Sequence, residues 1–78
     1  MNKTRRNRLD NILASLEKVR DDLEEVRDDE QCAFDNLPDN IKNSERGDTM
    51  EENVNTLCDL YDSIDSLIGD MNDFLEEI

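Results

Sequence analysis

The sequence contains no histidine and only two cysteines, so side chains that commonly serve as catalytic bases, nucleophiles or zinc ligands are scarce. Cys32 and Cys58 alone cannot provide the four ligands of a structural zinc site. Adjacent carboxylates such as Asp21 and Asp22 fall on diverging faces of a helix, which does not suit paired acid and base catalysis. We therefore expect a protein that is not an enzyme, has no metal site and uses no cofactor.

Long apolar runs are also absent. No stretch approaches the ~20 apolar residues that a membrane-spanning helix needs. The basic segment at residues 1–6 is not followed by the apolar core of a signal peptide. Thiols stay reduced in the cytosol. These absences predict a cytoplasmic protein with two free thiols and no membrane partner.

Helix-breaking residues are few, with one proline and two glycines in 78 residues. Apolar residues recur every seven positions from Leu9 onward, which is a helical period. One column holds Leu9, Leu16, Leu23 and Leu37, with Glu30 interrupting it, and the next holds Ile12, Val19, Val26 and Ala33, while Leu13 and Phe34 widen the stripe. The pattern predicts a first helix over about residues 3–36, which Pro38 ends.

The second half of the chain has three adjacent apolar columns. They are Met50, Leu57, Ile64, Met71 and Ile78; then Asn53, Leu60, Leu67 and Phe74; then Val54, Tyr61, Ile68 and Leu75. Thr49 and Glu52 have the spacing of a capping box, so we predict a loop over about 37–48, with Ile41 folding back onto the core, and a second helix over about 49–77. One partner helix cannot cover three columns. We therefore predict an all-α antiparallel hairpin that self-associates into a homo-oligomeric bundle.

The net charge of −13 is unevenly distributed. Residues 1–20 carry six basic and two acidic side chains, and residues 21–78 carry three basic and twenty acidic ones. Arg5, Arg6 and Arg8 crowd the positive end of the first helix, against the preference of the helix dipole. Two interpretations stay open. These arginines pair with Asp70, Asp73 and Glu77 of the second helix, or they form a site for an anion such as phosphate.

The predicted loop contains a second candidate site, Ser44-Glu45-Arg46-Gly47-Asp48. It combines a hydroxyl group, a guanidinium group and a glycine that lets the backbone approach a ligand. The alternative is a loop closed by local capping, in which Arg46 bridges to Asp35 or Asp39.

One stretch resembles a family of short acidic proteins encoded in Firmicutes and their phages. The similar segments are Glu30-Gln31-Cys32-Ala33-Phe34-Asp35-Asn36-Leu37-Pro38, then Ser44-Glu45-Arg46-Gly47, then Met50-Glu51-Glu52, within about residues 20–68. The resemblance implies that the loop, with Phe34 and Asn36 beside it, is what the family keeps, as is usual for a binding surface. It also implies a phage or mobile-element setting, in which small proteins often counter host defences.

Two functions are compatible with these features. In the first, a homo-oligomer sequesters a small nucleotide-like anion at its subunit junctions. Arg46 holds a phosphate there, Ser44 and the amides near Gly47 donate hydrogen bonds, and Phe34 or Tyr61 forms a wall. In the second, rows of carboxylates imitate a nucleic acid and inhibit a basic host protein. A structural adaptor is a third, simpler possibility, and direct binding to nucleic acid is disfavoured at this charge.

Overall fold

The computed structural model describes residues 1–78 and is all-helical, which confirms the predicted fold class at this level. The chain forms α1 (Lys3–Asp35), a short helix α2 (Asp39–Lys42) and α3 (Glu45–Glu77). The two long helices pack against each other in opposite directions, and the molecule measures 59 × 15 × 13 Å. None of its helices combines the length and the apolar character needed to cross a membrane.

Polar side chains and Pro38 set the ends of α1. At its start, the side chain of Asn2 accepts a hydrogen bond from the backbone N–H of Arg5 at 2.9 Å, which satisfies one of the free donors of the first turn. At its end, the N–H of Asn36 donates to the carbonyl of Cys32 at 3.0 Å. Pro38 then takes an extended conformation, and α1 ends within one residue of the predicted boundary.

The start of α3 differs from the prediction. The helix begins at Glu45, with Ser44 in the N-cap position, so the predicted start at Thr49 is four residues too late. Thr49 does not cap the helix, because its hydroxyl donates to the carbonyl of Glu45 inside the first turns, at 3.0 Å. The predicted 37–48 loop is therefore reduced to two short turns around α2. Ile41 in α2 is half-buried, and α2 packs against α3.

The core of the hairpin is narrow. Leu13, Ile68 and Leu75 form one buried cluster, and Val54 is the other buried hydrophobic residue. The half-buried residues around the cluster are Leu9, Leu16, Ile64 and Met71. The column that begins at Leu9 thus lies between the helices, as its apolar character requires.

A second apolar column on each helix stays outside this core. Ile12, Val19 and Val26 of α1 and Leu60, Leu67 and Phe74 of α3 are each 44–52% exposed. We call these six residues the apolar seam. Ile12, Val19 and Val26 stay outside the contact between the helices because α3 covers the neighbouring column, which contains Leu13. In the same way, α1 covers only part of the three-column apolar face of α3.

Candidate binding surfaces

The six residues of the apolar seam lie on one side of the hairpin. On each helix the seam column follows the half-buried column by three residues, and in antiparallel helices equivalent columns face the same side. Because the helices are antiparallel, a step of seven residues forward on α1 and a step of seven residues back on α3 move equally far along the axis. Ile12 is therefore level with Phe74, Val19 with Leu67, and Val26 with Leu60. The contact between Arg20 and Asp65 lies next to the middle level and agrees with this register.

The opposite side of the hairpin is closed by arginines. Arg20 donates to Asp65 across the helix pair at 3.1 Å, and Arg6 donates to the carbonyl of Leu75 at 3.2 Å. The hydrogen bonds to Asp65 and Asp21 hold the pKa of the Arg20 guanidinium above its ordinary value. Arg6 and Arg20 belong to the same seven-residue column as Leu13. Their contacts join α1 to α3 along the edge opposite the seam.

Tyr61 takes part in this closure. The guanidinium carbon of Arg27 lies 5.2 Å from the centre of the Tyr61 ring, a cation–π geometry. Its hydrogen bond with Asp28 raises the pKa of the Arg27 guanidinium. Tyr61 is also fourteen residues beyond Gly47 in α3, about 21 Å along the axis. Tyr61 therefore does not form a wall of the loop site within the same chain.

The loop residues of the expected anion site make local contacts. The Ser44 hydroxyl donates to the carbonyl of Ile41. Gly47 is buried, and a methyl group there would overlap the carbonyl of Lys42. Arg46 is exposed and forms no ion pair with Asp35 or Asp39. Local packing thus accounts for the serine and the glycine of this segment.

The surroundings of the loop carry both signs of charge. Asp48 lines an open cavity of about 300 Å³ with Glu51, Glu52 and Asn55, and these carboxylates repel a phosphate. Phe34 is half-buried under the ammonium group of Lys42, 5.6 Å from the ring centre. Asn36 is exposed at the C-cap of α1.

The other three predicted arginines lie at the far end of the 59 Å molecule. Arg5 and Arg8 border a cavity of about 250 Å³ whose remaining lining is apolar, from Met1, Leu9 and Ile12. The predicted ion pairs of Arg5, Arg6 and Arg8 with Asp70, Asp73 and Glu77 do not form. Arg6 instead reaches a backbone carbonyl, because it lies in the column that faces α3. One chain therefore does not bring the terminal arginines and the loop together.

A third cavity, of about 260 Å³, lies where the seam approaches the loop end. Glu30, Asn53, Thr56 and Leu57 line it. Glu30 is half-buried in the column of Leu9, Leu16 and Leu23, and its carboxylate forms no ion pair within the chain.

Sequence reasoning misses the structural role of Arg20 and Arg27. Both lie at seven-residue intervals from Leu13, so a search that admits arginine stems as core-covering groups would have found them. Cys32 and Cys58 are free thiols, as expected, and Cys58 is half-buried.

Comparisons with known proteins add no assignment. No protein-family model, no curated protein and no solved structure matches this chain.

Proposed function

We propose that this protein is a non-enzymatic binding protein that works as a homo-oligomer: hairpins pair through the apolar seam, and the acidic outer faces of the bundle bind a basic partner protein. The observation that carries the proposal is the seam, six large apolar side chains on one side of a hairpin whose core has only four buried hydrophobic residues. Exposed apolar residues gathered on one side of a fold are typical of protein–protein contact sites.

The exposed area supports pairing. The chain exposes 5713 Å², whereas a compact monomer of 9.1 kDa exposes roughly 4,900 Å². Burying the remaining half of each seam residue gains roughly 1 kcal/mol, and a pair of hairpins therefore gains on the order of 10 kcal/mol. Association costs about 4–15 kcal/mol. The gain and the cost are of similar size, as in a reversible, concentration-dependent oligomer.

The outward surface of α3 supports the choice of a basic partner. Glu52, Asp59 and Asp73 recur along one outward column, with Ser66 in the same series, and none of these carboxylates forms an ion pair within the chain. Glu52 and Asp59 are about 10 Å apart along the axis, and Asp59 and Asp73 about 21 Å, because Ser66 takes the position between them. Unpaired carboxylates in a fixed row attract a basic surface at a distance.

Assembly is tested by Leu67→Glu, with Ser66→Glu as its matched control, because both add one carboxylate at neighbouring positions and only Leu67 lies in the seam. Sedimentation equilibrium and light scattering over a concentration series give the mass. We expect the wild type and Ser66→Glu to reach at least twice 9.1 kDa, and Leu67→Glu to stay monomeric with unchanged helix content. A wild type that is monomeric at every concentration overturns the proposal.

Partner binding is tested with a fluorescent arginine-rich peptide as the probe, by fluorescence anisotropy. Asp59→Asn together with Asp73→Asn is expected to weaken binding several-fold, whereas Arg46→Ala leaves it unchanged. Equal affinity of the wild type and the double variant contradicts the role of this face.

Sequestration of a small anion is a second candidate, favoured by the cavity in which Arg5 and Arg8 border an apolar floor. Two guanidinium groups suit a phosphate, and the apolar floor suits a base or sugar ring. Calorimetric titration with ADP-ribose and with a cyclic dinucleotide tests it. Binding that Arg8→Ala abolishes and Arg46→Ala spares supports this candidate, and the absence of heat with both compounds removes it.

A further inference from the structure

The charge of the hairpin is concentrated in one half. We divide it at the level of Val19 and Leu67, the middle of the apolar seam. The half with the chain termini, residues 1–18 and 68–78, has five basic and six acidic side chains, a net charge of −1. The half with the loop, residues 19–67, has four basic and sixteen acidic ones, a net charge of −12. Two copies with their loops at the same end would place the two strongly acidic halves side by side.

The size of the seam residues also changes along the hairpin. Ile12 and Phe74 form the bulkiest level, at the terminal end, and Val26 and Leu60 form a smaller level towards the loop. Packing is most even where large residues of one surface meet smaller residues of the other. Charge and volume therefore favour the same orientation, with the loop of one copy beside the termini of the other.

Unpaired charged groups match in this orientation. A two-fold axis through the level of Val19 reverses the order of levels in the second copy, so Arg5 comes level with Ala33 and Asn53 of that copy. Glu30 of the second copy lies within one helical turn of this level and faces the cavity it shares with Asn53. Arg8 comes level with Glu30 of that copy, one residue from Asp29 on the outer flank. Arg5, Arg8, Asp29 and Glu30 form no ion pair within their own chain.

From this geometry we infer that the seam is occupied by a second copy of the chain in antiparallel orientation, with Arg5 and Arg8 of each copy bound to Glu30 and Asp29 of the other. The inference rests on the proposed pairing through the seam and adds the partner's orientation and the residues that fix it. It also joins the terminal arginines of one copy to the loop end of the other, which one chain leaves far apart. An anion bound at Arg5 and Arg8 would compete with this pairing.

Cysteine cross-linking distinguishes the orientations. In a background with Cys32→Ser and Cys58→Ser, Val19→Cys places two thiols at the two-fold axis, and we expect a disulfide-linked dimer on mild oxidation. Val26→Cys alone is the control, because it faces Ile12 of the second copy, so it cross-links only when mixed with Ile12→Cys. In the parallel orientation Val19 faces Leu67 instead, and only a mixture of Val19→Cys and Leu67→Cys is linked.

The outcomes separate the two proposals. Sedimentation that shows no oligomer removes the proposed function. An oligomer linked only through Val19 and Leu67, or not linked by any of these pairs, overturns the inference and leaves oligomerisation intact. The antiparallel pair is supported if Val19→Cys forms a disulfide with its own copy and Ile12→Cys forms one with Val26→Cys.

A charge exchange tests the ion pair itself. Arg5→Glu is expected to weaken dimerisation several-fold, and adding Glu30→Arg in the same chain is expected to restore it. Arg5 and Glu30 are about 37 Å apart along α1, so a contact within one chain cannot explain the rescue, and Arg5→Glu with Glu76→Arg is the control that restores the net charge without restoring the ion pair. A double variant as weak as Arg5→Glu alone contradicts the assignment.

Discussion

Gly47 and Gly69 both lie inside α3, but only Gly47 touches another part of the chain. A methyl group at Gly47 would overlap the backbone of Lys42, whereas nothing lies within 4 Å of the corresponding position at Gly69. Gly47 is thus the residue that lets α2 pack against α3. The glycine in the loop motif has a structural reason that involves no ligand.

Alanine substitutions at the two glycines should have opposite effects. We expect Gly47→Ala to lower the free energy of unfolding by about 1–3 kcal/mol through overpacking. We expect Gly69→Ala to raise it by about 0.5–1 kcal/mol, because alanine favours the helix. Urea unfolding followed by circular dichroism measures both. If Gly47→Ala is as stable as Gly69→Ala, the close contact with Lys42 is absent in solution.

At the scale of the helices, α1 and α3 are held by apolar burial, with polar contacts at one edge. Leu13 is one of the four buried hydrophobic residues, whereas the side chains of Arg20 and Asp65 are 26% and 54% exposed. Exposed ion pairs contribute little because water screens them. The helix pair therefore depends on Leu13 more than on the salt bridge beside it.

Substitutions in these two contacts should differ in size. Leu13→Ala is expected to reduce the free energy of unfolding by about 2–4 kcal/mol. Asp65→Ala is expected to reduce it by less than about 1 kcal/mol, a difference that disappears in molar salt. Thermal and urea unfolding at low protein concentration isolate the hairpin from its assembly. Equal losses for the two variants would contradict the larger contribution of the core.

The sequence predicts the two helices well, because a seven-residue apolar repeat that no proline interrupts runs through each of them. It does not decide which column of α1 faces α3. Val19 and Val26 are apolar and Arg20 and Arg27 are charged, yet the arginine column packs inward, because the aliphatic stems cover the core while the guanidinium groups reach Asp65 and the ring of Tyr61.

The beginning of α3 and the candidate site were harder to predict. Thr49 and Glu52 have the spacing of a capping box, but the helix begins earlier, with Ser44 as its N-cap. This earlier first turn is possible because Gly47, which has no side chain, leaves room for α2 to pack against it. The ligand role of Ser44 and Arg46 stays a prediction. The distance between the loop and the two arginines Arg5 and Arg8 follows from the length of α1, which the sequence does predict.

At the scale of the whole molecule, repulsion opposes the folded state and its assembly. The chain has a net charge of −13, and an oligomer concentrates that charge further. The length over which charges act falls from ~30 Å at 10 mM salt to ~3 Å at 1 M. Added salt should therefore stabilise this protein, although it weakens individual ion pairs.

We expect the melting temperature and the fraction of oligomer to rise between 10 mM and 1 M NaCl. The control is the double variant Glu51→Lys, Glu52→Lys. Each substitution makes the net charge more positive by two, so that the net charge changes from −13 to −9. Its melting temperature should depend less steeply on salt. Scanning calorimetry and sedimentation give the two quantities, and a melting temperature that falls with salt would mean that specific ion pairs outweigh repulsion.

The position of the buried cluster has a consequence for how the chain folds. Ile68 and Leu75 pack against Leu13 near the open end of the hairpin, and the hydrogen bond from Arg6 spans 69 residues. Bringing these distant residues together costs loop-closure entropy unless α3 first pairs with α1 near α2. During synthesis the part of α1 around Leu13 therefore keeps its apolar stripe uncovered until residues 68–75 have been made. For that interval the chain is open to chaperones, and a second, already finished copy can reach α1 before its own α3 does.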